Sequence, residues 1–132
     1  MKKLLFVPFV CALALLVSSF APEQKVKWEK LGTRTVDIKG DHDVIQVGVF
    51  EGSFTKVRFK VMKAPIYLKN VVIVFGNGET KKVNFNARIK PGSISKVVDL
   101  PGDKRVIKKI KLNYKSVPNG KGKAIVSAWG RH

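Results

Sequence analysis

The sequence predicts an all-β protein: an antiparallel β-sandwich or jelly roll of eight or nine short strands, following an N-terminal signal peptide. Three observations predict it. Apolar and polar residues alternate with period two over much of the chain, as half-buried strands require. Val, Ile, Phe and Thr are abundant while helical spacing is scarce. Turn signals built on Gly, Pro and Asn recur at short intervals, as they do in sandwiches and jelly rolls.

The first 21 residues read as a leader. Lys2 and Lys3 precede an uncharged apolar run over 4–17, and Ser18, Ser19 and Ala21 follow. Basic, apolar, then small is the order of a secretory signal. The run is shorter than the roughly 20 residues that span a bilayer, so cleavage leaves no membrane span. Ser19-Phe20-Ala21 fits a small-x-small cleavage site, but Pro22 would follow the scissile bond, so cleavage after Ser19 and retention as an anchor stay open. Phe9-Val10 are too large to make Cys11 a lipid attachment site. Residues 22–132 then form one domain.

The strands follow in order. Residues 27–36 and 44–49 read as two strands around the polar stretch 37–43. Over 55–61, Val57, Phe59 and Val61 face one way and Lys56, Arg58 and Lys60 the other. Ala64-Pro65 breaks the chain before a short strand at 66–68. The apolar run 71–75 reads as a strand covered on both faces. Gly76-Asn77-Gly78 is a hairpin signal, because Asn-Gly tolerates positive φ. In 82–89, Val83, Phe85, Ala87 and Ile89 should point inward, and Lys82, Asn84, Asn86 and Arg88 outward. Pro91-Gly92 and Pro101-Gly102-Asp103 bracket a strand at 94–100. Residues 105–115 fit either a helix face (Val106, Ile110, Tyr114) or a strand face (Ile110, Leu112, Tyr114). The strand is preferred, because it also accounts for Leu112. A loop over 118–122 precedes the closing strand, 124–129.

Composition narrows the function classes. The 132 residues carry 26 Lys plus Arg against 9 Asp plus Glu, a formal charge of +17. At 45% hydrophobic the chain is too apolar for a disordered polycation. Removing the leader takes away two lysines, and the remaining 111 residues carry +15. A domain of that size buries about 65% of its unfolded surface, enough for a core without staples. The single Cys11 excludes an internal disulfide framework and any multi-cysteine zinc site.

Several stretches resemble a known family. They are 28–36 (Trp-Glu-Lys-Leu-Gly-Thr-Arg-Thr-Val), 44–48 (Val-Ile-Gln-Val-Gly), Gly76-Asn77-Gly78, 98–102 (Val-Asp-Leu-Pro-Gly) and 124–131 (Ala-Ile-Val-Ser-Ala-Trp-Gly-Arg). Together they resemble a family of small exported bacterial β-sandwich proteins of unknown function. The resemblance implies a periplasmic or secreted sandwich and carries over no catalytic residue. The lysine load is not part of that pattern.

The outward basic positions are the largest functional feature: Lys56, Arg58 and Lys60; Lys82, Arg88 and Lys90; Lys109, Lys111 and Lys115. Strands sharing a sheet would merge these rows into one positive face attractive to polyanions. The ordinary reading is a solvated, solubilising surface. With 21 Lys against 5 Arg, diffuse attraction to anionic polysaccharide or lipid headgroups is favoured over sequence-specific nucleic-acid reading. Trp28 and Trp129 lie near the chain ends, where adjacent terminal strands would pair them; core packing is their ordinary role. Tyr67 should point outward between inward Ile66 and Leu68, a weak aromatic contact candidate.

Asp41, His42 and Asp43 are the weak metal candidates, since carboxylates at i and i+2 can ligate calcium; an Asx-type turn is the ordinary reading. No cofactor is expected. No enzyme activity is expected either. No Gly-x-Ser-x-Gly elbow occurs, Asp99, Asp103, Glu51 and Glu79 sit in or beside turns, and terminal His132 should be mobile, leaving His42 as the sole base. Three functions are thus weighed: a binding module for anionic envelope or extracellular polymers, a structural or assembly protein of the bacterial cell envelope with charge for solubility, and a small hydrolase at Asp41, His42 and Asp43.

Overall fold

In the computed structural model, residues 27–37, 41–48, 51–115 and 122–132 are described. The leader at 1–21 with both cleavage sites and Cys11, Val49, and positions 118–121 of the expected loop lie outside them.

Alternation becomes nine strands: β1 (Glu29–Asp37), β2 (His42–Gln46), β3 (Ser53–Phe54), β4 (Lys56–Met62), β5 (Ile66–Phe75), β6 (Thr80–Ile89), β7 (Val98–Asp99), β8 (Arg105–Lys115) and β9 (Lys123–Arg131). They form two antiparallel sheets, as expected. Sheet one runs β1-β9-β4-β7; sheet two runs β2-β8-β5-β6, with β3 also pairing with β8. The two terminal strands are neighbours, Thr33 lying opposite Ser127.

The core lies between the sheets. Val57, Phe59 and Val61 of β4 are fully buried, as are Ile110 and Leu112 of β8. Phe59 of sheet one meets Phe85 of sheet two edge to face, with ring centres 5.8 Å apart. Such a pair adds about 0.5–1.5 kcal/mol beyond the area it buries. Residues 105–115 form one strand, and Leu112 is the reason: a helix would have left it outside the buried set. The runs at 66–68 and 71–75 join into β5 through an irregularity at Lys69.

One expectation is corrected. Residues 94–100 are not one strand: Ile94 bridges Lys60 and only Val98–Asp99 pair with β4. Here the Ser95 hydroxyl accepts the Phe59 N–H at 2.9 Å, taking the place of a ladder carbonyl, while the Ser95 N–H donates to the Phe59 carbonyl. Ile94 and Val97 are left exposed. In β6, Ala87 keeps the inward parity, opposite fully buried Leu68, but is left exposed because β6 is an edge strand.

Candidate functional site: two cationic sheet faces

Register sorts the predicted basic positions onto opposite faces of the sandwich. Lys56, Arg58 and Lys60 lie on the outer face of sheet one. Lys82, Arg88, Lys109, Lys111 and Lys115 lie on the outer face of sheet two, and Lys90 follows the end of β6.

Across sheet two, pairing builds cross-strand rows: Lys115–Tyr67–Arg88, Asn113–Asn70–Asn84, Lys111–Val72–Lys82 and Lys109–Val74–Thr80. Tyr67 is half-buried and outward, as expected, and the Lys115 ammonium lies 5.0 Å from its ring centre. Asn113 Nδ2 donates to Asn70 Oδ1 at 2.7 Å. His42, Val44 and Gln46 of β2 extend three of the rows. No carboxylate occupies an outward position on these four strands. Adjacent positions on one strand face are about 7 Å apart. At that distance two exposed like charges repel by only about 0.6 kcal/mol in water. The face therefore folds without a counter-ion, yet its cations add their attraction toward an extended polyanion.

Sheet one differs. Its central row is Lys30–Trp129–Arg58, followed by Thr33–Ser127–Lys60. Trp28 precedes β1, and the Arg58 guanidinium carbon stands 4.1 Å from its ring centre. The Lys30 ammonium lies 5.6 Å from that of Trp129. Trp28, Arg58, Lys60, Ile94 and Trp129 line a groove of about 280 Å³. The indole Nε1 of Trp129 is buried with no hydrogen-bond partner among the described residues. Neither tryptophan takes the core role expected of it. The signal was present in the closing strand: Ala124, Val126, Ala128 and Gly130 alternate as the buried set, which puts Trp129 on the outward parity. Small residues are required inside, since a Cβ at Gly130 would stand 2.7 Å from the Phe54 ring. Lys56 is not equivalent to its neighbours, because it is bonded to Asp99, and that bond and charge hold the Asp99 carboxyl below the usual carboxylate range.

The Asp41-His42-Asp43 cluster is divided by strand geometry. Consecutive residues of β2 point to opposite faces, so His42 turns outward and Asp43 inward. His42 Nδ1 lies 2.6 Å from Asp41 Oδ1. Asp43 joins the two sheets at their edge, accepting Arg34 Nε–H at 2.8 Å and the Tyr114 hydroxyl at 3.2 Å. An Asx-type turn at Asp43 is thus replaced by a strand position. Among the described residues, no group of three His, Cys, Asp or Glu is arranged to hold a metal. His132 is not free: it stacks on Phe54 at 4.5 Å, and its Nδ1–H donates to the Ser53 carbonyl.

Burial first, and then the charge and hydrogen bond of Asp43, push the buried Tyr114 hydroxyl from 10.0 up to about 12. Its proton is held more tightly folded than unfolded, so the contribution is complete below pH 10 and is lost as pH rises toward 12. Wild type is therefore expected to lose about 2–3 kcal/mol relative to Tyr114→Phe over that interval. Paired urea melts at stepped pH check this, and parallel curves for the two proteins would refute it.

A second groove, about 470 Å³, lies beside the Gly76-Asn77-Gly78 turn and includes Arg105. Arg105 is engaged: its guanidinium carbon lies 4.0 Å from the Phe75 ring centre and its Nη2 2.7 Å from Glu79. The side-chain hydrogen bond from Asn77, followed by the charge of Arg105, holds the Glu79 carboxyl below its usual range. This cluster pins the hairpin.

The chain belongs to the family described as "Domain of unknown function (DUF2541)", whose model matches residues 8–130, in agreement with the resemblance to a family of unknown function. No curated protein matches the chain. Among solved structures, it is similar to one described as "Structural and functional characterization of Pseudomonas aeruginosa AlgX", with a TM-score of 0.53 and 10% identity. The match covers 79% of this chain and 26% of that one, so the chain spans about a quarter of that protein's length. At this identity the likeness shows the fold alone.

Proposed function

We propose that this family member is a non-catalytic, exported binding module that holds an anionic polymer, acidic polysaccharide foremost, on the outer face of sheet two. The observation that carries the reading is the set of outward cations on that face, Lys82, Arg88, Lys109, Lys111 and Lys115 among them, with no outward carboxylate on its strands. All of these but Arg88 are lysines, compact charges on flexible stems that suit a polymer of irregular charge spacing. Export is supported by the basic, apolar and small-residue order of the first 21 residues. A non-catalytic role is supported by Asp43, the acid following His42, which is already committed to Arg34 and Tyr114.

The presence of cations on both outer faces favours a second reading, a structural or assembly protein of the cell envelope whose charge serves solubility. One experiment separates the two. The triple variant Lys82→Glu, Lys109→Glu, Lys111→Glu is compared with a charge-matched triple off the face, Lys63→Glu, Lys90→Glu, Lys104→Glu. Affinity for heparin or an acidic polysaccharide is measured against salt. The first variant is expected to lower the slope of log affinity against log salt by about two to three, close to one per cation removed. The second is expected to leave the slope near wild type. Equal losses in both would reduce the face to general charge and favour the second reading.

A further inference from the structure

We infer that the groove on sheet one, on the opposite side of the sandwich, is a separate site for one acidic sugar residue, a hexuronate. Its indole walls receive the C–H face of the ring, and Arg58 with Lys60 receives the carboxylate.

Sheet register explains why these groups converge. Trp129 stands in the middle of the cross-strand row between Lys30 and Arg58, so an indole is flanked by a cation on each side. Trp28 arrives from the other end of the chain and stacks on Arg58. Stacking holds the planar guanidinium by its face and leaves its N–H edges free for the bidentate bonds that a carboxylate accepts. Arg58 and Lys60 have no carboxylate partner among the described residues. Arg34, Lys56 and Arg105, by contrast, are each paired with an acid. Two cations left unpaired beside two aromatic rings form a site complementary to a ligand that is apolar on one face and anionic at one edge.

A hexuronate has that form. A neutral sugar would use the rings and leave both cations idle; inorganic phosphate would use the cations and leave the rings bare. The hydroxyls of Thr33 and Ser127, 3.2 Å apart in the neighbouring row, stand on the same sheet face for the sugar's own hydroxyls. The unpaired Nε1–H of Trp129 leaves the wall short of one acceptor before any ligand arrives. At about 280 Å³ the groove is at the small end of ligand sites, which suits one ring rather than a bulky ligand.

The chain's only two tryptophans are Trp28 and Trp129, so intrinsic tryptophan fluorescence reports on this groove alone. Trigalacturonate is titrated into the protein at 0.15 M salt, with a neutral galactose trimer, inorganic phosphate and adenosine monophosphate as comparison probes. Trigalacturonate is expected to give a saturable change in emission that the neutral trimer and phosphate do not give. Arg58→Ala should weaken it about 10- to 100-fold, as loss of a charge-assisted pair implies, and Arg58→Lys should recover only part of the loss. Arg58 is a surface position, so these variants test the site even where Trp129→Ala fails to fold. The Lys82, Lys109 and Lys111 triple variant should leave the titration unchanged, which keeps this site's failure distinguishable from failure of the sheet-two face. No response to trigalacturonate, an equal response to the neutral trimer, or a response to adenosine monophosphate alone would each overturn the assignment.

Discussion

Replacing Phe59 by Ala is expected to destabilise the domain by about 3–5 kcal/mol. Phe59 is fully buried in β4 at the interior of the sandwich. Its ring spans the space between the sheets to reach Phe85, so truncation removes transfer energy, an edge-to-face pair and the filling of one inter-sheet layer at once. Relaxation around the cavity is restricted. The Phe59 backbone is held on one edge by Ser95 and on the other by Ala128 of β9, so β4 cannot move inward without breaking a ladder. No described residue is a cysteine, so no disulfide among them limits the loss. Urea denaturation measures it: the midpoint should fall by on the order of 2 M at unchanged slope. A loss under about 1 kcal/mol would show that the two sheets do not meet at this ring.

Gly32→Ala is expected to cost about 1–3 kcal/mol, as overpacking does, although it adds one methyl group to a half-exposed strand. A Cβ at Gly32 would stand 2.7 Å from Ile45 Cγ2 and 2.8 Å from the Gln46 carbonyl oxygen. Ile45 is fully buried and the carbonyl is backbone, so neither neighbour yields as the tip of a long side chain would. β1 must instead move away from β2 at the edge where the two sheets come together. The register between β1 and β9 already shifts between Lys30 and Gly32, so the strain falls on an irregular stretch. Thermal unfolding should fall by roughly 4 °C per kcal/mol. Because Lys30 flanks Trp129, the same displacement should weaken the trigalacturonate response while leaving heparin retention intact. An unshifted melting temperature would refute the close approach of β1 to β2.

Much of the fold was legible in the residues. Val57, Phe59 and Val61 against Lys56, Arg58 and Lys60 could be assigned to two faces by counting alone. So could Tyr67 between Ile66 and Leu68. Residues 94–100 alternate like a strand without forming one, because Ser95 uses its side chain where a strand uses a carbonyl, and alternation carries no sign of a bonded hydroxyl.

Much less of the candidate sites was legible. A strand's two faces are a property of its own backbone, since successive side chains alternate whatever the strand pairs with. Outward positions, and with them the all-β class and the cationic surface, can therefore be read from the residues alone. Which strands become neighbours depends on pairings between residues far apart in the chain, and local pattern carries no record of them. Strand pairing across the fold is what puts Lys82, Lys109 and Lys111 on one face and Arg58 and Lys60 on the opposite one. It alone brought Trp28 and Trp129, a hundred residues apart, to one groove, because β1 and β9 are hydrogen-bonded neighbours.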